Sequence, residues 1–213
     1  MNLEDVRGPY RELIDFADAA FTEISAAHPD FMRCKRGCDD CCYAVFGLFL
    51  VEAAFVNEAF QSLEEPARVE TLSRCAEAEQ AAARLEDELR AARHDPDRAA
   101  RIMATKRVPC PLLTAAGDCL IYDSRPLTCR VYGVPTVVGG ALRACGKSGF
   151  SRKGRYGAFN LDLANRGLLE LSTAMIEDIE DADPEKASLL VSVSKALRSP
   201  VHRIIEESYL KDE

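Results

Sequence analysis

The sequence predicts a mainly α protein: a helical domain with a small, irregular, cysteine-rich metal-binding module and a short β-hairpin. Three observations lead there. Apolar residues recur at steps of three and four over most of the chain, the period of a helix that buries one face. From Val108 to Gly157 that pattern breaks, and Pro, Gly and Cys take over. Nine cysteines stand in a chain of 213 residues. A chain of that length buries roughly 70% of its unfolded surface and needs no covalent staples to fold.

The first helix is expected from about Pro9 to Ala27, with Leu13, Ala17, Phe21 and Ile24 as its seam. A second, about Phe49 to Leu63, is apolar nearly all round and therefore buried. The third runs from near Pro66 to about Arg93 on a thin seam. Its flanks carry Glu70 to Arg74 and Glu86 to Arg90, acid before base at a spacing of four. A short helix follows Asp95-Pro96-Asp97, where the carboxylate caps free N–H groups and proline lacks a donor that would be orphaned anyway. In the middle region, Cys119-Leu120-Ile121-Tyr122 and Val134 to Val138 read as strand fragments, and Gly139-Gly140 as a hairpin turn. Leu161, Ala164, Leu168, Leu171, Met175 and Ile179 form the seam of a further helix. Asp183-Pro184 is expected to start another, carrying Leu189, Val193 and Leu197, with a restart at Ser199-Pro200. These elements read as one domain, 1–213. Residues 31–48 and 108–157 form the cysteine module, 49–107 a helical insert and 158–213 the C-terminal helices.

Composition excludes several roles. A formal charge of −8 argues against a general nucleic-acid binder. The longest uncharged apolar stretch, Cys41 to Val51, is about half the roughly 20 residues that a spanning helix needs, so no membrane span is expected. The N-terminal MNLEDVRGPY is charged and has no apolar signal core. The expected compartment is the cytoplasm, where clustered cysteines signal metal or redox chemistry more than disulfides.

Eight cysteines fall in two groups. Cys34, Cys38, Cys41 and Cys42 lie in one tight loop, whereas Cys110, Cys119, Cys129 and Cys145 are spread over separate turns. Short loops supply several ligands at little closure entropy, and Gly37 frees the backbone beside Cys38. Adjacent Cys41 and Cys42 do not reach one metal in relaxed geometry, so one of them serves a second metal or stands outside the first. Four thiols from each group suffice for two four-thiolate sites, or for one site plus spare thiols. Arg33, Lys35 and Arg36 flank Cys34, Arg130 follows Cys129, and Arg143 to Arg155 contains five basic residues and no acid. Such cations would stabilise bound thiolates from outside, and Arg125 and Arg130 are the named candidates. Cys75 reads as an inert helix residue. His28 reads as a surface histidine at a helix end, and the six acids between Glu177 and Glu185 as a solvated helix end.

The chain resembles the YkgJ-type cysteine-cluster family, named for a C-x-x-C-x-x-C-C motif and described as zinc- or iron-chelating or iron–sulfur-containing. The resemblance rests on Cys34 to Cys42 and on Cys110-Pro111-Leu112-Leu113. It also rests on Cys119 to Tyr122 and, most specifically, on Arg125-Pro126-Leu127-Thr128-Cys129-Arg130. It covers about residues 31–48 and 108–148. One departure stands out: three residues, not two, separate Cys34 from Cys38.

The leading expectation is a cytoplasmic metal-cluster protein whose thiolates hold an iron–sulfur cluster, with [4Fe–4S] favoured, or Zn2+. All-cysteine ligation suits both. Electron transfer, or metal presentation to a protein partner that accepts electrons or metal, would be its role. A structural zinc-binding interaction module is one alternative. The other is a metal-dependent protein methyltransferase, since flagellin lysine methylases look similar in their cysteine cluster. No cofactor-pocket motif supports that enzyme, and whether the chain is an enzyme is left open.

Overall fold

The structure, a computed structural model, describes residues 3–151, 153–177 and 184–209. It is mainly helical, with a small mixed sheet of three strands. The first helix, α1 (Leu3–Ala27), begins upstream of Pro9, where the sequence signal placed its start. An interior proline removes one helix hydrogen bond and costs about 3 kcal/mol. Tertiary contacts offset that cost. Val6 and Tyr10 are buried, Tyr10 stacks on Phe55 at 4.5 Å, and Arg7 grips both oxygens of Glu58 at 2.9 and 2.8 Å.

The second helix, α2 (Leu50–Gln61), is the centre of the core and is buried on nearly every side, as its composition implies. The Phe49 side chain offers no cap, but Glu52 in the first turn reaches back and accepts from Phe49 N–H at 3.3 Å. Val51 N–H donates to Ser172 Oγ at 3.2 Å. The long α3 (Glu65–Ala91) buries only Thr71, Cys75, Ala78 and Leu85. Its expected pairs are present, Arg74 to Glu70 at 2.6 Å and Arg90 to Glu86 at 3.3 Å. In α4 (Pro96–Thr105) the Asp95 carboxylate accepts from Arg98 N–H at 2.9 Å, the predicted cap.

The middle region is held by turns. After a short α5 (Leu127–Val131), strands β1 (Thr136–Val138) and β2 (Ala141–Arg143) pair antiparallel across Gly139 and Gly140. These glycines take φ of +58° and +70°, as a tight hairpin requires. The third strand, β3 (Phe159–Asn160), adds to β1 in parallel. Cys119 to Tyr122 is not a strand. Only Cys119 pairs, in a single bridge with Leu113, and a 3-10 turn follows at Tyr122–Ser124.

The C-terminal third begins with α6 (Leu161–Glu177), which buries Leu161, Ala164, Leu168 and Met175 of the expected seam. Ile179, Asp183 and most of the acidic run lie outside the described residues. The helix expected to continue from Pro184 through Leu197 is instead a 3-10 turn, Pro184–Ser188, a break, and then α7 (Val193–Arg198). The break has a physical cause. Val191 and Leu48 exchange two backbone hydrogen bonds of 2.8 Å, and a helical Val191 could not. Ser192 then caps α7 by accepting from Lys195 N–H at 3.1 Å. The last helix, α8 (Val201–Tyr209), starts directly after Ser199-Pro200, as expected. Helices α1, α6 and α7 pack around α2, and α5 lies on α1. No described helix is long and apolar enough to cross a membrane.

Candidate metal centre

The loop from Cys34 to Cys42 is built from two turns. Cys38 N–H bonds Lys35 O at 2.9 Å, closing a turn in which Gly37 adopts φ of +86°. This is the left-handed region that glycine enters without penalty. A 3-10 turn at Asp40–Tyr43 then presents Cys41 and Cys42. The second cysteine segment is laid against the first by its backbone. Cys110 N–H donates to Cys42 O at 2.7 Å, and Val108 N–H to Tyr43 O at 3.3 Å. The Leu113–Cys119 bridge folds the next loop back over the same place. Cys129 arrives on α5, whose first N–H, from Leu127, donates to the buried Glu52 carboxylate at 2.9 Å.

Five cysteines from these segments, Cys41, Cys42, Cys110, Cys119 and Cys129, line one cavity of about 140 Å³. Phe46, Val56, Leu112 and Ile121 contribute apolar wall. Within the group, Cys41 is the thiol that ionises first. Hydrogen bonds from the Cys129 and Cys42 thiols stabilise its anion and outweigh the penalty of burial. The same bonds, together with burial, push Cys42 and Cys129 up. Burial raises Cys119 and takes Cys110 to about 12. The group therefore shares one negative charge readily. A second thiolate meets desolvation and like-charge repulsion, both of which a soft cation would relieve. Among the described residues, no three Cys, His, Asp or Glu side chains already stand together as a group that could hold a metal ion. The sulfurs share a cavity rather than a finished coordination sphere. As a donor set, soft sulfur with no histidine fits zinc or iron–sulfur.

The other three cysteines of the eight gather beside it. Cys34, Cys38 and Cys145 line a much smaller void of about 20 Å³ together with Asp40 and, again, Cys41. Cys41 is thus common to both groups. The Cys145 thiol donates to Asp40 Oδ2 at 3.1 Å. Burial and that bond raise it to about 11. Asp40 is buried and also accepts from Arg107 at 2.5 Å, with Lys147 at 3.8 Å. The division by sequence into two sets of four is therefore not the division in space. Cys41 and Cys42 join Cys110, Cys119 and Cys129, while Cys145 crosses to Cys34 and Cys38. Both adjacent cysteines line the larger cavity, and Cys41 alone also lines the smaller void.

Cys34 lies hard against Gly133. A β-carbon there would fall 2.3 Å from Cys34 Cβ and 2.7 Å from its sulfur. Gly133→Ala is expected to displace Cys34 and to cost about 1–3 kcal/mol, as overpacking does. Chemical denaturation under reducing conditions measures it. An unchanged midpoint would show that the loop moves freely.

The arginines divide. Arg125 lines the thiol cavity, stacks on the Tyr122 ring at 3.7 Å and favours the anionic forms of Cys41, Cys34 and Cys119. Arg130 does not line the thiol cavity. It bonds Asp18 at 2.6 Å, the Asp123 carbonyl, and the Arg125 carbonyl at 2.9 Å, so it fixes the loop that carries Arg125. Cys75 is fully buried and bonds the Ser194 hydroxyl. His28 packs edge-on against Phe31, Phe150 and Tyr156 and lines neither thiol cavity. Sequence reasoning missed Asp40, Arg107 and Glu52. The Asp39-Asp40 pair inside the cysteine loop was a visible signal for the first. Nothing local announced the other two.

The CxxCxxCC family model, described as "Putative zinc- or iron-chelating domain", matches residues 33–146, more than half of the chain. The chain belongs to the CxxCxxCC family. The match begins just before Cys34 and ends just after Cys145, so all eight cysteines of the two cavities lie inside it. As a CxxCxxCC domain, the protein carries α2, α3 and α4 between its two cysteine segments, and α6 to α8 beyond them. No curated protein and no solved structure matches the chain.

Proposed function

We propose that this CxxCxxCC protein holds a metal centre on the thiols of Cys41, Cys42, Cys110, Cys119 and Cys129, and that it transfers electrons or presents metal to a protein partner. The observation that carries the reading is the convergence of five thiols, from separate turns, on one largely apolar cavity. Cys34, Cys38 and Cys145 extend the donor set through Cys41. Five soft sulfur donors with no histidine suit an iron–sulfur cluster, [4Fe–4S] first, with zinc as the alternative. Such a cluster, when bound, supplies one-electron chemistry. The chain's own residues prepare the place. Cys41 offers a ready thiolate, Arg125 offsets accumulating negative charge, and Ile121 and Phe46 give the cavity apolar lining. Arg130 and Glu52 hold the loops in register.

Metal analysis of anaerobically purified protein tests the reading. Iron with acid-labile sulfide and a broad band near about 400 nm is expected. A colourless protein with stoichiometric zinc would replace the cluster with a structural or transferable zinc. Protein free of both metals after reconstitution would overturn the proposal.

A further inference from the structure

We propose that the cleft on the Cys145 side of the molecule binds a small organic anion, a carboxylate or a phosphate ester with an apolar body. The cleft is about 530 Å³, within the range of small-molecule sites. Four cations line it: Lys106 and Arg107 just after α4, Arg143 on β2, and Lys147 in the following loop. Asp40 is the one carboxylate among its lining residues. This concentration of positive charge stands out in a chain of net charge −8.

Three of the cations have partners. Arg107 is bound to Asp40 at 2.5 Å, Lys106 to Glu88 at 2.5 Å and Lys147 to Asp39 at 2.9 Å. Glu88 and Asp39 lie outside the cleft lining, so these pairs steady the cations without filling the cleft with negative charge. Arg143 makes no ion pair among the described residues, and its fork of donors suits a carboxylate or phosphate. Apolar side chains share the lining, among them Val131, Val134, Phe150 and Leu161. A solvated basic surface would be neither concave nor lined in part by such residues. Inorganic anions would use only half of it, which is why the ligand carries an apolar body. The cleft shares Asp40 and Cys145 with the smaller thiol group, so its occupant sits beside those thiols. The inference does not depend on which metal the protein holds.

Isothermal titration calorimetry on the full chain, as purified, tests it with three probes: phenyl phosphate, benzoate and neutral benzyl alcohol. The anions are expected to bind about tenfold tighter than the alcohol. The stronger of the two distinguishes a phosphate site from a carboxylate site. Arg143→Ala should weaken anion binding by about tenfold, while Arg143→Lys retains most of it. Lys153→Ala, in the same basic segment but outside the cleft lining, should change nothing. Equal binding of all three probes would overturn the proposal. So would equal losses in Arg143→Ala and Lys153→Ala, which would mark diffuse charge. Binding of hexaglutamate without either small anion would overturn it in favour of an acidic protein partner.

Discussion

Cys41→Ser is expected to strip the protein of most of its metal, by about tenfold or more in metal per chain. Loss of a residue that merely supports a ligand costs about 10–100-fold in affinity, and Cys41 is placed to do more than support. It is the one thiol that lines both cavities, and it accepts hydrogen bonds from Cys42 and Cys129. Serine keeps the size and loses the soft anion, because its hydroxyl does not ionise in this range. Mass-spectrometric metal analysis after anaerobic purification reads the result, with circular dichroism as the check on folding. Cys38→Ser, which touches only the smaller void, should lower metal content less. Cys75→Ser should leave it unchanged, since that thiol lines neither cavity. A Cys41→Ser protein that is folded and fully loaded would remove Cys41 from the centre.

The second large effect concerns stability. The Glu52 side chain is buried on α2, and burial raises its carboxyl from 4.5 to about 7, against the backbone bonds from Leu127 and Phe49 that favour its anion. The sign follows from linkage. Below pH 4.5 both folded and unfolded chains hold the proton, and the stabilising term is fully present. Between 4.5 and about 7 the unfolded chain has lost its proton while the folded chain keeps it, so stability falls as pH rises. Above about 7 the loss is complete, at about 3 kcal/mol. Urea denaturation of reduced protein between pH 5 and 7.5 should show that slope, and Glu52→Gln should flatten it. Glu52→Ala leaves the Leu127 and Phe49 N–H groups without their acceptor and opens a void in the core. It should cost about 2–4 kcal/mol. A wild-type slope that survives in Glu52→Gln would assign the pH dependence to another group. Glu52 also caps the start of α5, which carries Cys129, so metal content in Glu52→Ala should fall along with stability.

Local signals were legible where local physics suffices. The Asp95 cap, the seam of α6 and the Gly139-Gly140 hairpin each depend on residues within a turn or two of one another. The cap and the hairpin formed as read, and α6 buries Leu161, Ala164, Leu168 and Met175 of its expected seam. The misreadings share one cause, a partner distant in sequence. Pro9 sits inside α1 because Tyr10 and Arg7 on either side of it are anchored on α2 by their side chains. The segment after Pro184 leaves the helix because Val191 pairs with Leu48.

The candidate site divides the same way. Its eight cysteines, their soft chemistry and the interest of Arg125 were all readable from spacing and composition, because a thiol's affinity for metal is a property of the residue. Which thiols share a cavity was not. That depends on Cys110 N–H meeting Cys42 O, on the Leu113–Cys119 bridge, and on Glu52 holding α5 from beneath. The candidate ligands are thus written in the chain itself. The grouping of those thiols is a product of long-range backbone pairing and of one buried carboxylate, neither of which leaves a mark in local sequence.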